Sequence, residues 1–410
     1  MRSFKKWSAV MISAVLVASL LAGCTQSSGS KGTTEPAKKE PVSLNIWTHM
    51  TEDEGKVLDT VAQEWAKQTS NTVTVNVDKG DMSAFPTVAA SGKGPDIMFG
   101  LPHDNLGGIY KAGLLVEVPA GLVNKDDFVP ASLDAASFDG KLYGIPIAME
   151  TYALFYRTDK IKEPPKTWAE FEKLANEKGF VYDIKNFYFS FGFVQSEGGY
   201  VFKNNGGALD PNDIGLANDG AIKGFQLISD MVNKYGWMKA DITGDIAKGK
   251  FQAGDAAMYL SGPWDVGGFR KANVPFAVAP MPTLPDGNKF HRFEGVYASF
   301  VSSTSKHQQE AWELEKYLIE HAGLPLFKTG GRFPVQKALI ASPDVQSDAI
   351  SSGFGKAALD ATPMPNIAQM GQVWTPMADA LTLITSKKAT PKDAAQGAVK
   401  KLKEAIAQSK

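Results

Sequence analysis

The chain has 410 residues, 43 of them Lys or Arg against 44 Asp or Glu, with 43% hydrophobic residues and a single cysteine. The charge balance excludes a strongly basic nucleic-acid binder, and the apolar content excludes a largely disordered polypeptide. One cysteine excludes any intrachain disulfide, which a chain of this size can do without because it buries a large fraction of its surface.

In chain order, Arg2, Lys5 and Lys6 open a basic start, and an apolar run follows from about residue 9 to residue 21. That run is shorter than the roughly 20 residues a membrane-spanning helix needs. Basic flank, short apolar stretch and the small residues Ala22 and Gly23 together predict a secretory signal. Leu21-Ala22-Gly23-Cys24 resembles the bacterial lipobox. The resemblance implies a signal peptide over residues 1–23, a lipid on Cys24, and residence on the extracellular face of the cell membrane. A lipidated Cys24 leaves no thiol for cysteine catalysis. Residues 24–41 are dominated by Ser, Gly, Thr, Lys, Glu and Pro and predict a flexible tether. Loss of the signal removes three basic groups and no acidic one, so the mature chain is mildly acidic and meets the membrane only through its lipid.

About 370 residues remain, too many for one core, and two domains follow. Val42, Leu44 and Ile46 alternate as in a strand. Thr51 and Glu54 form a capping-box pair ahead of Val57, Leu58, Val61, Ala62 and Trp65 at helical spacing, and Val73, Val75 and Val77 make a second strand. Strand, helix and strand at this spacing predict a crossover unit and a parallel sheet. A helix over about 83–90 precedes a short buried strand at Asp96-Ile97-Met98-Phe99. Thr167 with Glu170 caps a further helix; Asp219 is expected to cap another that Gly236 stops; Thr390-Pro391 opens the last one. Ligands of open α/β sheets sit beyond the carboxyl ends of strands, which singles out loops 48–53, 100–105 and 148–152.

The sequence carries no phosphate-binding P-loop, no Gly-x-Ser-x-Gly elbow in its folded part, no His-Glu-x-x-His and no calcium loop. His49 and His103 fall on post-strand loops, where they are expected to be exposed and separately hydrogen-bonded; a metal site with Asp104 is the rival reading. Aromatic side chains instead cluster beside turn residues: Asn186-Phe187-Tyr188-Phe189-Ser190-Phe191-Gly192-Phe193, Gly262-Pro263-Trp264-Asp265 and Gln372-Val373-Trp374-Thr375-Pro376. Flat rings cover the apolar faces of a pyranose, while carboxylates and amides take its hydroxyls. The ordinary alternative is that these aromatics are core, as some of the phenylalanines between 187 and 193 must be. Asp104 and Glu150 would ordinarily be solvent-facing loop charges or helix caps, while paired acids could also serve a glycosidase.

Phe85-Pro86 through Gly94-Pro95-Asp96-Ile97, His103-Asp104, Gly107-Gly108, Gly113-Leu114-Leu115, Gly140-Lys141-Leu142 and Pro146-Ile147-Ala148 occur in that order. Pro164-Pro165-Lys166-Thr167-Trp168, Gly198-Gly199-Tyr200, Gly262-Pro263-Trp264 and Met364-Pro365-Asn366-Ile367 follow. With these landmarks the chain resembles the extracellular maltose- and maltodextrin-binding proteins that serve ABC importers. The resemblance implies an α/β, two-lobed periplasmic-binding-protein fold, each lobe a mainly parallel sheet flanked by helices, with hinge crossovers. It places one lobe at 42–148 plus 296–346 and the other at 149–295 plus 347–410. It further implies stacking by Trp264, Trp374 and Tyr188, and hydroxyl bonding by Asp104 and Glu150. Polar contacts would come from Glu52, Asp53, Lys79 and Asn105. No catalysis, cofactor or metal is implied, and the partners are an oligosaccharide and the permease subunits, met by a monomer.

Three departures bear on the ligand. Asn105 stands where the family pattern has arginine, Gly100-Leu101-Pro102 replaces a segment with tryptophan, and Asn186 replaces a glutamate just before the aromatic cluster. Together they favour a longer or differently shaped glucan, a cyclodextrin included. A xylo- or galacto-oligosaccharide, a secreted glycan-active enzyme and a metal-binding lipoprotein are the remaining alternatives.

Overall fold

The alternation at Val42–Trp47 becomes the strand Ser43–Thr48, which pairs in parallel with Thr72–Val77 on one side and Ile97–Pro102 on the other. The connecting helix Glu52–Thr69 starts as its residues dictate. Thr51 accepts from the Glu54 backbone N–H, Glu54 reaches back to the Thr51 N–H, and Leu58, Val61, Ala62 and Trp65 face the sheet. Thr167 and Glu170 make the same reciprocal cap on Trp168–Lys178. This structure, a computed structural model, describes residues 40–78, 85–206 and 208–408. Cys24 and Lys79 lie outside the described residues, and the helix expected from about 83 is described over Phe85–Ala90.

One cap differs from expectation. Asn218, not Asp219, caps the helix Asp219–Asn233: its side chain accepts from the Ala221 N–H, and its backbone is extended, as a cap requires. Asp219 is the first helical residue, where its charge still suits the positive end of the helix. The last helix, Pro391–Gln408, opens at Thr390 and buries Ala394, Ala395, Ala398, Leu402 and Ile406.

The larger sheet has seven strands among the described residues. Beyond the parallel trio, Ile97–Pro102 pairs antiparallel with the long strand Arg292–Val301, and that strand pairs antiparallel with Ile145–Thr151. The smaller sheet is built on Ala153–Arg157, flanked antiparallel by Met258–Ser261 and Phe276–Ala279; only Phe180–Val181 joins it in parallel. That lobe is therefore less parallel than the family pattern implies, because Ala153–Arg157 simply continues the chain out of Ile145–Thr151 and its neighbours return against it.

Buried apolar side chains fall into two clusters. One runs from Leu44 to Ile145 and resumes from Ala298 to Val335. The other runs from Tyr152 to Phe293 and resumes from Phe354 to Ile406. Each is the core of one lobe. The chain leaves the first core between Ile145 and Tyr152, returns along Arg292–Val301, and leaves again after Val335. Strands Ile145–Thr151 and Arg292–Val301 thus form the floor between the lobes, and the loops that follow strands of both lobes gather above it.

Candidate functional site

A cleft of about 380 Å³ opens at this junction. From the second lobe it is lined by Tyr188, Phe189, Trp264 and Trp374, from the first by His49, Pro102, Asp104 and Asn105, with Glu150, Tyr297 and Met364 at its floor. All three aromatics singled out from the sequence, and both acids, meet there.

The Trp264 turn is built to present a ring. Gly262 lies directly beneath the indole, so any side chain at 262 would overlap it. Asp265 ties the turn down. It is buried, accepts from the Tyr259 and Ser261 hydroxyls at 2.9 and 2.6 Å, and pairs with Lys248 at 2.7 Å. Trp264 itself stays half-buried, with the rings of Tyr188 and Phe189 centred 6.2 and 6.1 Å away. Trp374 begins the helix Trp374–Thr385 and leans edge-on against Phe187 and Phe293. Along Phe187–Ser196 the four phenylalanines are buried; Phe187, Phe191 and Phe193 are core, whereas Phe189 and Tyr188 also line the cleft. The Tyr188 hydroxyl oxygen is sealed from solvent and has no hydrogen-bond partner among the described residues.

The facing wall is acidic and desolvated. Asp104 sits in the short turn His103–Asn105 after strand Ile97–Pro102, and Glu150 on strand Ile145–Thr151; both are 7% exposed. Burial pushes each carboxyl up to about 7. For Asp104 a backbone N–H and the Trp374 side chain offset part of the rise, and for Glu150 the Arg332 guanidinium does so. Asn105 is spent locally, its amide donating to the Pro102 carbonyl and to Asp104.

The remaining candidates are placed elsewhere. Glu52 and Asp53 are exposed in the first turn of their helix and do not line the cleft. Asp53 pairs with Lys56 at 3.1 Å and with Lys271 at 3.6 Å. His103, expected on an exposed loop, is fully buried. The Val296 N–H donates to its Nδ1, its Nε2–H donates to the Met364 carbonyl, and burial lowers its pKa to about 4. A neutral imidazole with both nitrogens engaged has no lone pair for a metal. His49 does line the cleft, its Nδ1 donating to the Asp78 carbonyl. A larger recess of 740 Å³ beside Ala131, Asp134 and Lys203 has no tryptophan among its lining residues.

The sequence profile of the bacterial extracellular solute-binding protein family matches residues 60–351. The chain belongs to that family. This solute-binding protein is 30% identical to the maltooligosaccharide ABC transporter solute-binding lipoprotein of Streptococcus pneumoniae serotype 4, over 99% of this chain and 98% of that one. It is 31% identical to the galactooligosaccharide-binding protein of Bacillus subtilis, over 96% of each. Among solved structures, the maltose-maltodextrin binding protein of Alicyclobacillus acidocaldarius superposes with a TM-score of 0.85 at 38% identity, covering 88% of this chain and all of that one. The two-lobed fold is shared with that structure.

Sequence reading missed the group that holds Glu150 in place. Arg332 of the solute-binding protein is buried over the Tyr297 ring, 4.1 Å from its centre. It donates to Glu150 at 2.8 Å and to both oxygens of Glu54 at 2.5 and 3.1 Å. Glu54 therefore works twice, as the reciprocal cap of its helix and as a buried counter-ion. Burial would raise its pKa, but Arg332 and the Thr51 donors outweigh that and hold it below the ordinary value. The capping-box spacing was a signal for Glu54; nothing local marks Arg332 as its partner.

Proposed function

We propose that this solute-binding protein takes up a maltodextrin-type oligosaccharide outside the cell and hands it to the permease of an ABC importer by closing its lobes. The observation that carries this is the cleft itself, with aromatic faces on one wall and desolvated carboxyls on the other. Trp264, Trp374 and Tyr188 cover the apolar faces of successive glucose rings, and Asp104 and Glu150 accept their hydroxyls. The names of the S. pneumoniae and A. acidocaldarius proteins support the same ligand class.

The acids act as hydrogen-bond acceptors and no cofactor takes part. The lobes divide as 42–148 plus 296–346 and 149–295 plus 347–410, and a lipid on Cys24 holds the monomer at the outer face of the membrane. Asn105 adds no positive charge to the cleft and its amide is already engaged, which favours longer or cyclic glucans over maltose. A galacto-oligosaccharide is the second reading, carried by the 31% identical B. subtilis relative.

The test is calorimetric titration of the purified protein with maltose, maltotriose, longer maltodextrins, α-, β- and γ-cyclodextrin and galacto-oligosaccharides. Saturable binding of an α-glucan without its hydrolysis is the expected result. Silence across the α-glucans with a response to the galacto-series moves the assignment to the second reading, and released glucose would turn it into an enzyme.

The two carboxyls also make uptake pH-dependent. Both titrate near pH 7 in the free protein. Sugar hydroxyls donating to them favour the ionised forms, so binding lowers both pKa values and releases protons. Affinity should therefore rise with pH through about 7 and level off above it. Titrations at pH 7 in buffers of different ionisation enthalpy read the released protons directly; identical apparent enthalpies in all buffers would contradict this.

A further inference from the structure

Main chain of one lobe lies against a glycine of the other at Gly107, which meets Asn366 and Ile367 near the hinge segments, and at Gly267, which meets Thr329 away from them. Helix Val266–Lys271, which follows the Trp264 turn, belongs to the second lobe, where Val266 and Phe269 are core. Helix Gly323–Gly330 belongs to the first lobe, where Leu326 is core. Gly267 of the former lies against the carbonyl oxygen of Thr329 in the latter, and a Cβ at 267 would overlap that oxygen. The obstacle would be main chain, which cannot swing aside like the tip of a side chain. One turn further along the same helix, Lys271 meets Asp53 of the first lobe at 3.6 Å, with the two side chains 77% and 50% exposed. A pair that open to water contributes little. The steric fit at Gly267 therefore limits how close these two helices come.

The two helices belong to different lobes, so how closely they meet depends on how far the lobes have closed. We propose that Gly267, which does not line the ligand cleft, sets the affinity for the sugar: its bare Cα is the seat that allows full closure over the cleft. The inference rests on the oligosaccharide reading for its ligand but not for its geometry. Contacts made only in the closed state are the ones that shift the population toward it. A residue that holds the lobes a fraction of an ångström apart leaves Trp264 and Trp374 free to stack but loosens the far wall, Asp104 and Glu150. The loss then falls on dissociation more than on association.

The experiment compares wild-type protein with G267A and G267V, purified at full length in a detergent without a sugar headgroup. Maltotriose is titrated, its dissociation rate followed by stopped-flow tryptophan fluorescence, and the closed fraction measured by energy transfer between dyes on the two lobes. G267A is expected to weaken binding by about tenfold, mainly through faster dissociation, and G267V by more. The closed population should shrink with and without sugar, while the melting temperature of the ligand-free protein stays at the wild-type value. T329A, which keeps the carbonyl, is expected to bind as wild type. Wild-type affinity and closure in G267A would overturn the proposal, as would an affinity loss matched by a fall in ligand-free melting temperature, the mark of a folding defect. Wild-type protein that binds no sugar overturns the oligosaccharide reading instead, and the closed fractions of the ligand-free proteins still decide the role of Gly267.

Discussion

Trp264→Ala is expected to weaken maltotriose binding by roughly 30- to 150-fold, about 2–3 kcal/mol, the scale of a buried aromatic hot spot. The indole is half-buried in the free protein and faces the cleft, so it has apolar surface left to give to a ligand. Its turn does not depend on the ring: Asp265 holds it through Tyr259, Ser261 and Lys248, and Pro263 fixes the backbone before it. Removing the ring should therefore cost binding and leave the melting temperature nearly unchanged. Calorimetry for affinity and a thermal melt for the ligand-free variant separate the two. Unchanged affinity would remove Trp264 from the ligand wall and leave Trp374 and Tyr188 to carry the stacking.

Arg332→Met is expected to destabilise the protein by about 3–5 kcal/mol, because the change strands two buried carboxyls. Glu54 is fully buried and Glu150 nearly so, and Arg332 is the cation both of them reach. Methionine fills much of the space over Tyr297, so the loss is mainly electrostatic and not a cavity. The melting temperature should fall on the order of 5–10 °C near neutral pH.

The sign of the pH dependence follows from the same groups. Without the guanidinium both carboxyls have raised pKa values, and a raised acid costs stability increasingly as pH climbs above its unfolded value. The deficit of the variant against wild type should therefore shrink as pH falls toward 5. Adding Glu54→Gln should recover part of it at pH 7, whereas Arg332→Lys should not, since a single ammonium cannot bond three oxygens in this fork. Thermal melts of the three variants at pH 5 and pH 7 check these expectations. A pH-independent deficit would mean that packing, not charge, is what Arg332 contributes.

Local signals carried far in this chain because they act over a few residues. The two Thr-x-x-Glu pairs closed as reciprocal caps where spacing put them, and the alternating valines of 73–77 became a strand beside 43–48. The aromatic-and-turn clusters delivered Trp264, Trp374 and Tyr188 to one wall, since glycine and proline set the turns that present them. Where the same kind of signal misled, a neighbour competed: Asn218 took the cap from Asp219 by having the extended backbone.

Other assignments depended on partners distant in sequence. His103 looked like an exposed loop residue, yet it is buried because Val296 and Met364 close over it from hinge segments far along the chain. Asp53 had the look of a ligand contact, yet it lies exposed in the first turn of its helix, with Lys56 at 3.1 Å and Lys271 of the other lobe at 3.6 Å. The ion triad joins Arg332 to Glu54 and Glu150 across 278 and 182 residues. The sequence by itself determined the opening strand–helix–strand unit, the two reciprocal caps and which turns carry rings, because propensity, capping and periodicity are short-range. Only the tertiary structure decided which charges are buried together and where the lobes touch, because desolvation and steric contact depend on what the fold brings near.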